Sequence, residues 1–442
     1  MKNNKRIISI ILSIFIFFTF PICSNCKENE INFSQENINQ ICLTPGENES
    51  ILNFCWCSTG NSDNQIKIWD KENNEQIFTG ISEKINENFY SNKVKIKGLE
   101  DNSTYYYSYK LNGIWTKPLE YKTKNSSDFS FALMGDPQIG ASSKKINSNE
   151  KGIEKDVSSW NKVINQALEK DKNLSFIVCS GDETNTKEDK EDSLKTNISN
   201  LEYYGFLSPS KLKEIPLANA IGNHDKSNKK FYNHFYMPNQ FDLGQTDAGG
   251  DSYFVYGDSL FIFLNTNNLN MKEHKKFIEN AVNANKDIKW KIAVFHHDIY
   301  GEGIHSKDKD MEKLRDSLPD ILEKNKIDLA LSGHDHIYSR SYIIKNNKVK
   351  TDASKYEISK ENRNEEIINN PKGIIYITAG TCTGSKFYEP NNKNNKYSKF
   401  KYDKEVPTYT IINVSKDKIN IITYESNSNT IIDNKIVITK SE

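Results

Sequence analysis

The sequence predicts a small all-β sandwich over residues 38–124, followed by an α/β domain of two packed sheets covered by helices over residues 128–442. Three observations predict it. First, short apolar, β-rich runs recur at 51–56, 65–69, 93–96, 104–111 and 119–123, most bounded by Gly, Asn, Asp or Ser. That is the spacing of short antiparallel strands. Second, after the polar linker Asn125-Ser126-Ser127, apolar runs alternate with stretches of helical period and then give way to strands alone. Such an order implies sheets with helices on their outer faces. Third, five of the later runs end in clusters of Asp, Asn and His. Parallel strands deliver polar groups to the carboxyl edge of a sheet in this way.

The chain has 442 residues, a length suited to two or three domains. Lys plus Arg number 59 and Asp plus Glu number 59, so formal charge cancels. The basic excess of a nucleic-acid binder is absent. Lys2, Lys5 and Arg6 form a positive leader, followed by an apolar stretch over 7–20 and Pro21. That stretch is short for a membrane span and fits a signal peptide over residues 1–26, with an uncleaved anchor as the alternative. Cys23 or Cys26 could be a lipidated first residue, although neither follows the usual small residues. A secreted or cell-surface protein is expected, touching a membrane only through an uncleaved leader or a lipid anchor. Beyond the leader lie Cys42, Cys55, Cys57, Cys179 and Cys382, an odd count that forbids complete pairing. Cys179 sits in an apolar run and is expected buried. Cys42 could bridge to Cys55 or Cys57.

Within the sandwich, Trp56 alternates with Cys55 and Cys57 and so faces the opposite side. The tyrosines of 104–107 are expected in packing. The segment has no His, and no chemistry is expected of it. In the second part, 129–134 is an expected strand. Residues 156–170 carry helical period through Trp160, Val163, Ile164, Ala167 and Leu168. Strands are expected at 174–179 and 215–221, with a helix at 199–207. Residues 253–256 and 260–264 form a hairpin around Gly257-Asp258. Helices follow at 271–284 and 309–325, and strands at 291–295, 327–331, 373–379, 408–414 and 419–424. The charge-rich stretch 186–197 and the stretch 341–370, a hairpin combined with a polar, charged segment, are expected insertions. Residues 390–401, rich in Asn and Lys, are expected to form a mobile surface loop.

The five polar clusters are Gly135-Asp136-Pro137-Gln138, Gly181-Asp182-Glu183-Thr184-Asn185, Gly222-Asn223-His224-Asp225, His296-His297-Asp298 and Gly333-His334-Asp335-His336. A lone Gly-Asp is a common turn. The last cluster is stronger, because two His spaced i, i+2 reach one side of an extended segment. Six of the eight His of the chain fall in these clusters or at His305, nine residues beyond His296. Mixed imidazole and carboxylate ligands suit Zn, Mn or Fe, and a carboxylate can bridge two ions.

The order Gly-Asp, Gly-Asp, Gly-Asn-His-Asp, His-His, Gly-His-x-His resembles the calcineurin-like metallophosphoesterase superfamily. With a β-sandwich before it, the chain is similar to the purple acid phosphatase branch, whose first domain is fibronectin-type-III-like. Gly98-Leu99 followed by Thr104-Tyr105-Tyr106-Tyr107 fits the corner and tyrosine-rich strand of such a domain. The resemblance covers about residues 38–442 and implies a four-layer αββα catalytic fold with a dinuclear metal centre. It implies that Asp136, Asp182 and His336 hold one metal, and that Asp182 bridges to a second held by Asn223, His296 and His334. His224 and His305 would face the substrate. His296 is preferred to His297 because the family's ligand lies four residues before a Tyr, here Tyr300. Asn185 stands where the purple enzymes have an iron-binding Tyr, and could offer its carbonyl oxygen to a metal. Gln138 stands where Gly or His is common.

Two divalent ions would bring four positive charges, and Asp136 and Asp182 return two negative ones. The remaining positive charge attracts a phosphate ester. Paired metals roughly 3.5–4 Å apart lower the pKa of a shared water and clamp the attacking and leaving oxygens. His224 or His305 could protonate the leaving alkoxide. The resemblance therefore implies an exported phosphoesterase acting on small phosphate esters, foremost a phosphomonoesterase. The alternatives are a phosphodiesterase or nucleotide hydrolase, and a surface binding protein on an inactive hydrolase fold.

Overall fold

The computed structural model describes residues 40–187, 193–227, 229–350, 356–358, 364–391 and 395–441. The expected signal peptide, with Cys23 and Cys26, lies outside the described residues. Described residues of both expected parts are present, and their strands explain the packing.

The first part is two antiparallel sheets. One runs in the order Cys42–Pro45, Ile51–Ser58, Tyr90–Lys97, Ile81–Lys84. The other joins Gln76–Thr79, Gln65–Asp70, Thr104–Leu111 and Ile114–Trp115, with Leu119–Lys122 beside Thr104–Leu111. Strand alternation buries Leu52, Phe54 and Trp56 against Ile66, Val94, Ile96 and Tyr107. The opposite face of the same strand carries Asn53, Cys55 and Cys57, and it is covered rather than solvated. Asn53 Nδ2 donates to the Tyr236 carbonyl at 3.1 Å, and Cys55 Sγ to the Asn233 carbonyl at 3.2 Å. Ser91 Oγ reaches the same Asn233 carbonyl at 2.7 Å. These polar and thiol groups satisfy main-chain carbonyls of the segment just beyond Gly222-Asn223-His224-Asp225.

The expected bridge from Cys42 to Cys55 or Cys57 does not form: all three thiols are free and buried. Cys42 and Cys55 are register partners on adjacent strands. Their sulfurs nevertheless turn to separate carbonyls, Cys42 to Leu43 and Cys55 to Asn233. Cys179 is buried, as expected.

The second part is built on two large sheets. The eight-stranded sheet has the order Leu217–Asn219, Leu174–Cys179, Asp128–Met134, Thr408–Ser415, Lys418–Glu425, Lys435–Thr439, Glu365–Asn369, Tyr356–Ile358. The seven-stranded sheet has the order Ser252–Tyr256, Ser259–Leu264, Trp290–Phe295, Leu329–Ser332, Ile375–Thr378, Tyr338–Ser341, Ser398–Tyr402. Phe131 and Phe176 of the first meet Phe261 of the second edge to face, with centroids 5.3 Å apart in both pairs. Such pairs add to the burial that holds two sheets face to face. The helix Asn149–Lys170 buries Trp160, Val163 and Ile164 on its inner face. On the seven-stranded sheet, Phe277 and Ile278 of Met271–Ala284 and Leu314 and Leu318 of Lys309–Lys324 join Leu260, Ile262 and Phe295 in one core. The layers are therefore αββα.

The strands that lead into the polar clusters are parallel: Leu217–Asn219, Leu174–Cys179 and Asp128–Met134 at one end of the eight-stranded sheet, and Ser259–Leu264, Trp290–Phe295, Leu329–Ser332 and Ile375–Thr378 within the seven-stranded one. Being covered on both faces, they read as unbroken apolar runs, which is why sequence alone finds them. The sheet margins were less legible. The expected loop at 390–401 ends in a strand, Ser398–Tyr402, paired with Tyr338–Ser341. Glu365–Asn369 and Lys435–Thr439 form a parallel pair that was not expected. The expected helix at 199–207 begins earlier, at Ser193.

Candidate metal centre

All five polar clusters leave the carboxyl ends of parallel strands and meet between the two sheets. Asp136 follows Asp128–Met134, Asp182 follows Leu174–Cys179, and Asn223 and His224 follow Leu217–Asn219. From the facing sheet, His296 follows Trp290–Phe295, and His334 and His336 follow Leu329–Ser332. Asp136, Asp182, His334 and His336 all have positive φ, between 45° and 78°. Non-glycine residues rarely adopt this region, and such strain concentrates at functional sites. Gly222 has no side chain because a Cβ there would lie 2.1 Å from Asp182 Oδ1.

Ligand atoms of Asp136, Asp182 and His296 lie within 4.8 Å of one another. His296 Nε2 is 3.4 Å from Asp182 Oδ1, 3.0 Å from Asn223 Oδ1 and 3.1 Å from His334 Nδ1. His336 Nε2 is 3.5 Å from Asp136 Oδ1. The other ring nitrogens are fixed by main-chain carbonyls: His296 Nδ1 donates to Ser180 at 2.9 Å, and His336 Nδ1 to Lys386 at 2.8 Å. Each of these rings therefore turns Nε2 inward, as a second layer of hydrogen bonds does for a metal-bound imidazole. Both oxygens of Asp136 accept the His334 main-chain N–H at 3.0 Å. Asp182 is held by the His224 main-chain N–H at 2.9 Å and by Gln138 Nε2 at 3.1 Å.

Two observations show that these residues fit metal ions. His336 Nε2 is buried and makes no hydrogen bond among the described residues, a costly state for a polar atom unless something else satisfies it. Asn223 turns its amide oxygen toward His296 Nε2, so acceptors converge. Turned over, the amide nitrogen would face His296, Asp182 and His334, and the oxygen would take Lys187 Nζ at 2.8 Å. Oxygen inward is the orientation a cation requires, and carboxylate, amide oxygen and imidazole together suit Zn, Mn or Fe.

Electrostatics point the same way. Burial disfavours the charged His296 ring, but the Asp182 charge and hydrogen bond, with Asp136, lift it to about 9. Burial, then the neighbouring His297 and His296, holds His334 well below the usual imidazole range. Burial opposes ionisation of Asp182, and the charges of His296 and His224 outweigh it, driving the carboxyl well below its usual range. One proton among many inward lone pairs is a substitute for a cation.

The remaining site candidates surround this cluster. His224 donates from Nδ1 to the Asn185 carbonyl, and its Nε2 stands 3.8 Å from Asp182 Oδ2. Asn185 thus joins the site through its main chain, while lining a cavity of about 530 Å³ with Glu202 and Ser148. His305, on the turn Ile304–Lys307, lies 5.0 Å from the His334 ring and 4.5 Å from Tyr388. The His297 ring lies 4.9 Å from the His334 ring, with its Nδ1 2.8 Å from Thr266 Oγ1.

Sequence reasoning assigned no role to Asp225, Asp335, Lys386 or Tyr388. Asp225 accepts the Asp182 and Gly222 N–H groups at 3.0 and 3.1 Å and the Tyr203 hydroxyl at 3.1 Å. Asp225 and Asp335 already stood inside the polar clusters. Lys386 and Tyr388 lie in a loop with no readable pattern, and only folding brings Tyr388 to 4.5 Å from the His336 ring.

Residues 129–338, a span containing every candidate from Asp136 to His336, match the calcineurin-like phosphoesterase family model. Purple acid phosphatase 4 of Arabidopsis thaliana is 52% identical over 48 residues, 11% of this chain and 13% of that protein. The chain therefore spans only a small part of this curated relative. Purple acid phosphatase PPD1 from seeds of yellow lupin, Lupinus luteus, superposes with a TM-score of 0.68 at 15% identity. That match covers 91% of this chain and 75% of the lupin chain, both sandwich and αββα layers falling within the shared fold. The chain carries a calcineurin-like phosphoesterase domain, of a family of phosphate-ester hydrolases, within a purple acid phosphatase fold.

Proposed function

We propose that this chain is an exported phosphoesterase that hydrolyses small phosphate monoesters at a dinuclear metal centre. The observation that carries the reading is the convergence of inward-facing lone pairs at Asp136, Asp182, Asn223, His296, His334 and His336. On this reading Asp136, Asp182 and His336 hold one ion, and Asp182, Asn223, His296 and His334 the other. Asn185 remains a candidate only through its side-chain oxygen, since its carbonyl serves His224. When bound, Fe, Mn or Zn ions would supply an activated water and offset phosphate charge.

The chain's own residues would do the rest. His224, with its proton on Nδ1 committed to Asn185, presents Nε2 toward the cluster. His305 lies beside His334. On this reading both are substrate-side groups that orient the phosphoryl group, and either gives a proton to the leaving oxygen from a doubly protonated ring, a state that burial disfavours at His224. The domain limits that accompany this reading are 1–26 for the signal peptide, 38–124 for the sandwich and 128–442 for the catalytic part. Export rests on the leader composition alone.

Metal-defined protein assayed on 4-nitrophenyl phosphate and on bis(4-nitrophenyl) phosphate tests the reading. A higher kcat/KM on the monoester is expected. The opposite preference would favour a diesterase, and no turnover of either after metal loading would sink the phosphoesterase reading.

A further inference from the structure

We propose that Asp335 is a positioning residue that fixes His305 beside the metal centre, so that proton delivery to the leaving group depends on it. The inference rests on the phosphoesterase reading above. Asp335 lies between His334 and His336, and its side chain is fully buried. It points away from the cluster toward the turn that carries His305. Its Oδ2 accepts the Gly303 main-chain N–H at 2.8 Å, and its Oδ1 accepts the His305 main-chain N–H at 3.0 Å. A carboxylate accepting two main-chain donors makes charge-assisted bonds, stronger than neutral ones.

At His305 the other contacts are made by the ring, which lies 4.5 Å from Tyr388 and 5.0 Å from His334, so the main-chain position rests on Asp335. The turn is one four-residue turn, Ile304–Lys307, and its apolar residue, Ile304, is 46% exposed. Arg315 and Asn391 anchor Ser306, one residue further on. On the His305 ring, Nδ1 lies 2.8 Å from Oδ2 of the exposed Asp308. The approach between Asp335 and the turn is close: a Cβ at Gly303 would lie 2.6 Å from Asp335 Cγ. The carboxylate thus ties the segment leaving Trp290–Phe295 to the one leaving Leu329–Ser332. His305 is placed by the same peptide stretch that presents His334 and His336.

An alkoxide leaving group needs a proton in the transition state, whereas a nitrophenolate does not. Loss of the clamp should therefore penalise esters according to their leaving group. The experiment compares kcat on glycerol 2-phosphate and on 4-nitrophenyl phosphate for wild type, Asp335→Val and Asp335→Asn, with metal content measured for each. Hydrogen exchange is followed at the Gly303 and His305 amides. Asp335→Val should lose at least about tenfold more kcat on glycerol 2-phosphate than on the aryl ester, part of the roughly 10²–10⁴-fold that a positioned general acid supplies. Both amides should exchange faster in Asp335→Val than in wild type, while those of Trp290–Phe295 stay as protected as before. Asp335→Asn keeps one acceptor oxygen and should fall between, which also guards against a Val variant that folds poorly. Equal losses on both esters, or unchanged amide protection, would overturn the clamp. A metal-loaded wild type inactive on both esters would instead overturn the phosphoesterase reading.

Discussion

With its amide oxygen inward, Asn223 stands 3.0 Å from His296 Nε2, a contact that needs a proton or a cation there, whereas the turned amide would donate to the ring itself. Because His296 is lifted to about 9, a proton occupies it in metal-free protein at neutral pH. That proton stabilises the metal-free fold fully below about 6.5, and the contribution is lost as pH rises through about 9. Metal binding must displace it. Calorimetric Zn titrations near neutral pH, in buffers of different ionisation enthalpy, should show about one proton released, with affinity falling as pH drops. Elemental analysis should find about two ions per chain. Binding without proton release, or a single ion after reconstitution, would contradict the arrangement.

His296 and His297 are adjacent in sequence but face different partners, Asn223 and Thr266. His296→Ala should lose one metal and reduce kcat by at least about 100-fold. His297→Ala should keep both metals and lose much less, because it removes packing and one hydrogen bond. The reverse result would exchange their roles.

On the resemblance, which puts Asn185 where the purple enzymes have an iron-binding Tyr, an iron-loaded form should lack a strong tyrosinate-to-iron absorption; in the fold the Asn185 carbonyl is taken by His224. A visible spectrum recorded after iron loading decides this. A band that disappeared in Tyr388→Phe would show that the tyrosine 4.5 Å from the His336 ring supplies the ligand instead.

Burial pushes the Glu202 carboxyl up to about 7 against the Thr186 hydrogen bonds that favour its charge. The folded chain then holds a proton that the unfolded chain releases from 4.5 upward. Stability should therefore fall as pH rises between these values, by up to about 3 kcal/mol from this group. Urea unfolding at about pH 5 and about pH 8 measures the slope. Glu202→Gln, which cannot ionise, should reduce it, and an unchanged slope would assign it to other groups.

The sandwich contributes packing to the segment behind Asn223 and His224. Thr44, Asn53, Cys55 and Ser91 satisfy the Asn233 and Tyr236 carbonyls, and the Tyr107 hydroxyl reaches the Lys213 carbonyl at 2.8 Å. A chain beginning at Ser127 should be less soluble and unfold at lower temperature, because it uncovers buried carbonyls. Its turnover per metal-loaded site should survive in part. Complete loss with both metals and fold intact would place part of the active site in the sandwich.

The sequence by itself determined the order of the two parts, the buried strands that lead into the polar clusters and the residues that end them. The reason is local: strands buried on both faces are unbroken apolar runs, and the polar residues after them have no packing role to disguise them. It also distinguished His296 from His297 only through resemblance, since both follow the same strand. Tertiary structure decided which of them faces Asp182, because the direction of each ring depends on carbonyls and hydroxyls from distant segments. It decided that Cys55 meets Asn233, rather than bridging to Cys42 across one ladder step. The strand at Ser398–Tyr402 was hidden because its alternate residues are half-exposed, and its pairing with Tyr338–Ser341 is long-range. Asp335 shows the same limit at the site: its place between two histidines is written in the chain, but its partners Gly303 and His305 arrive only through folding.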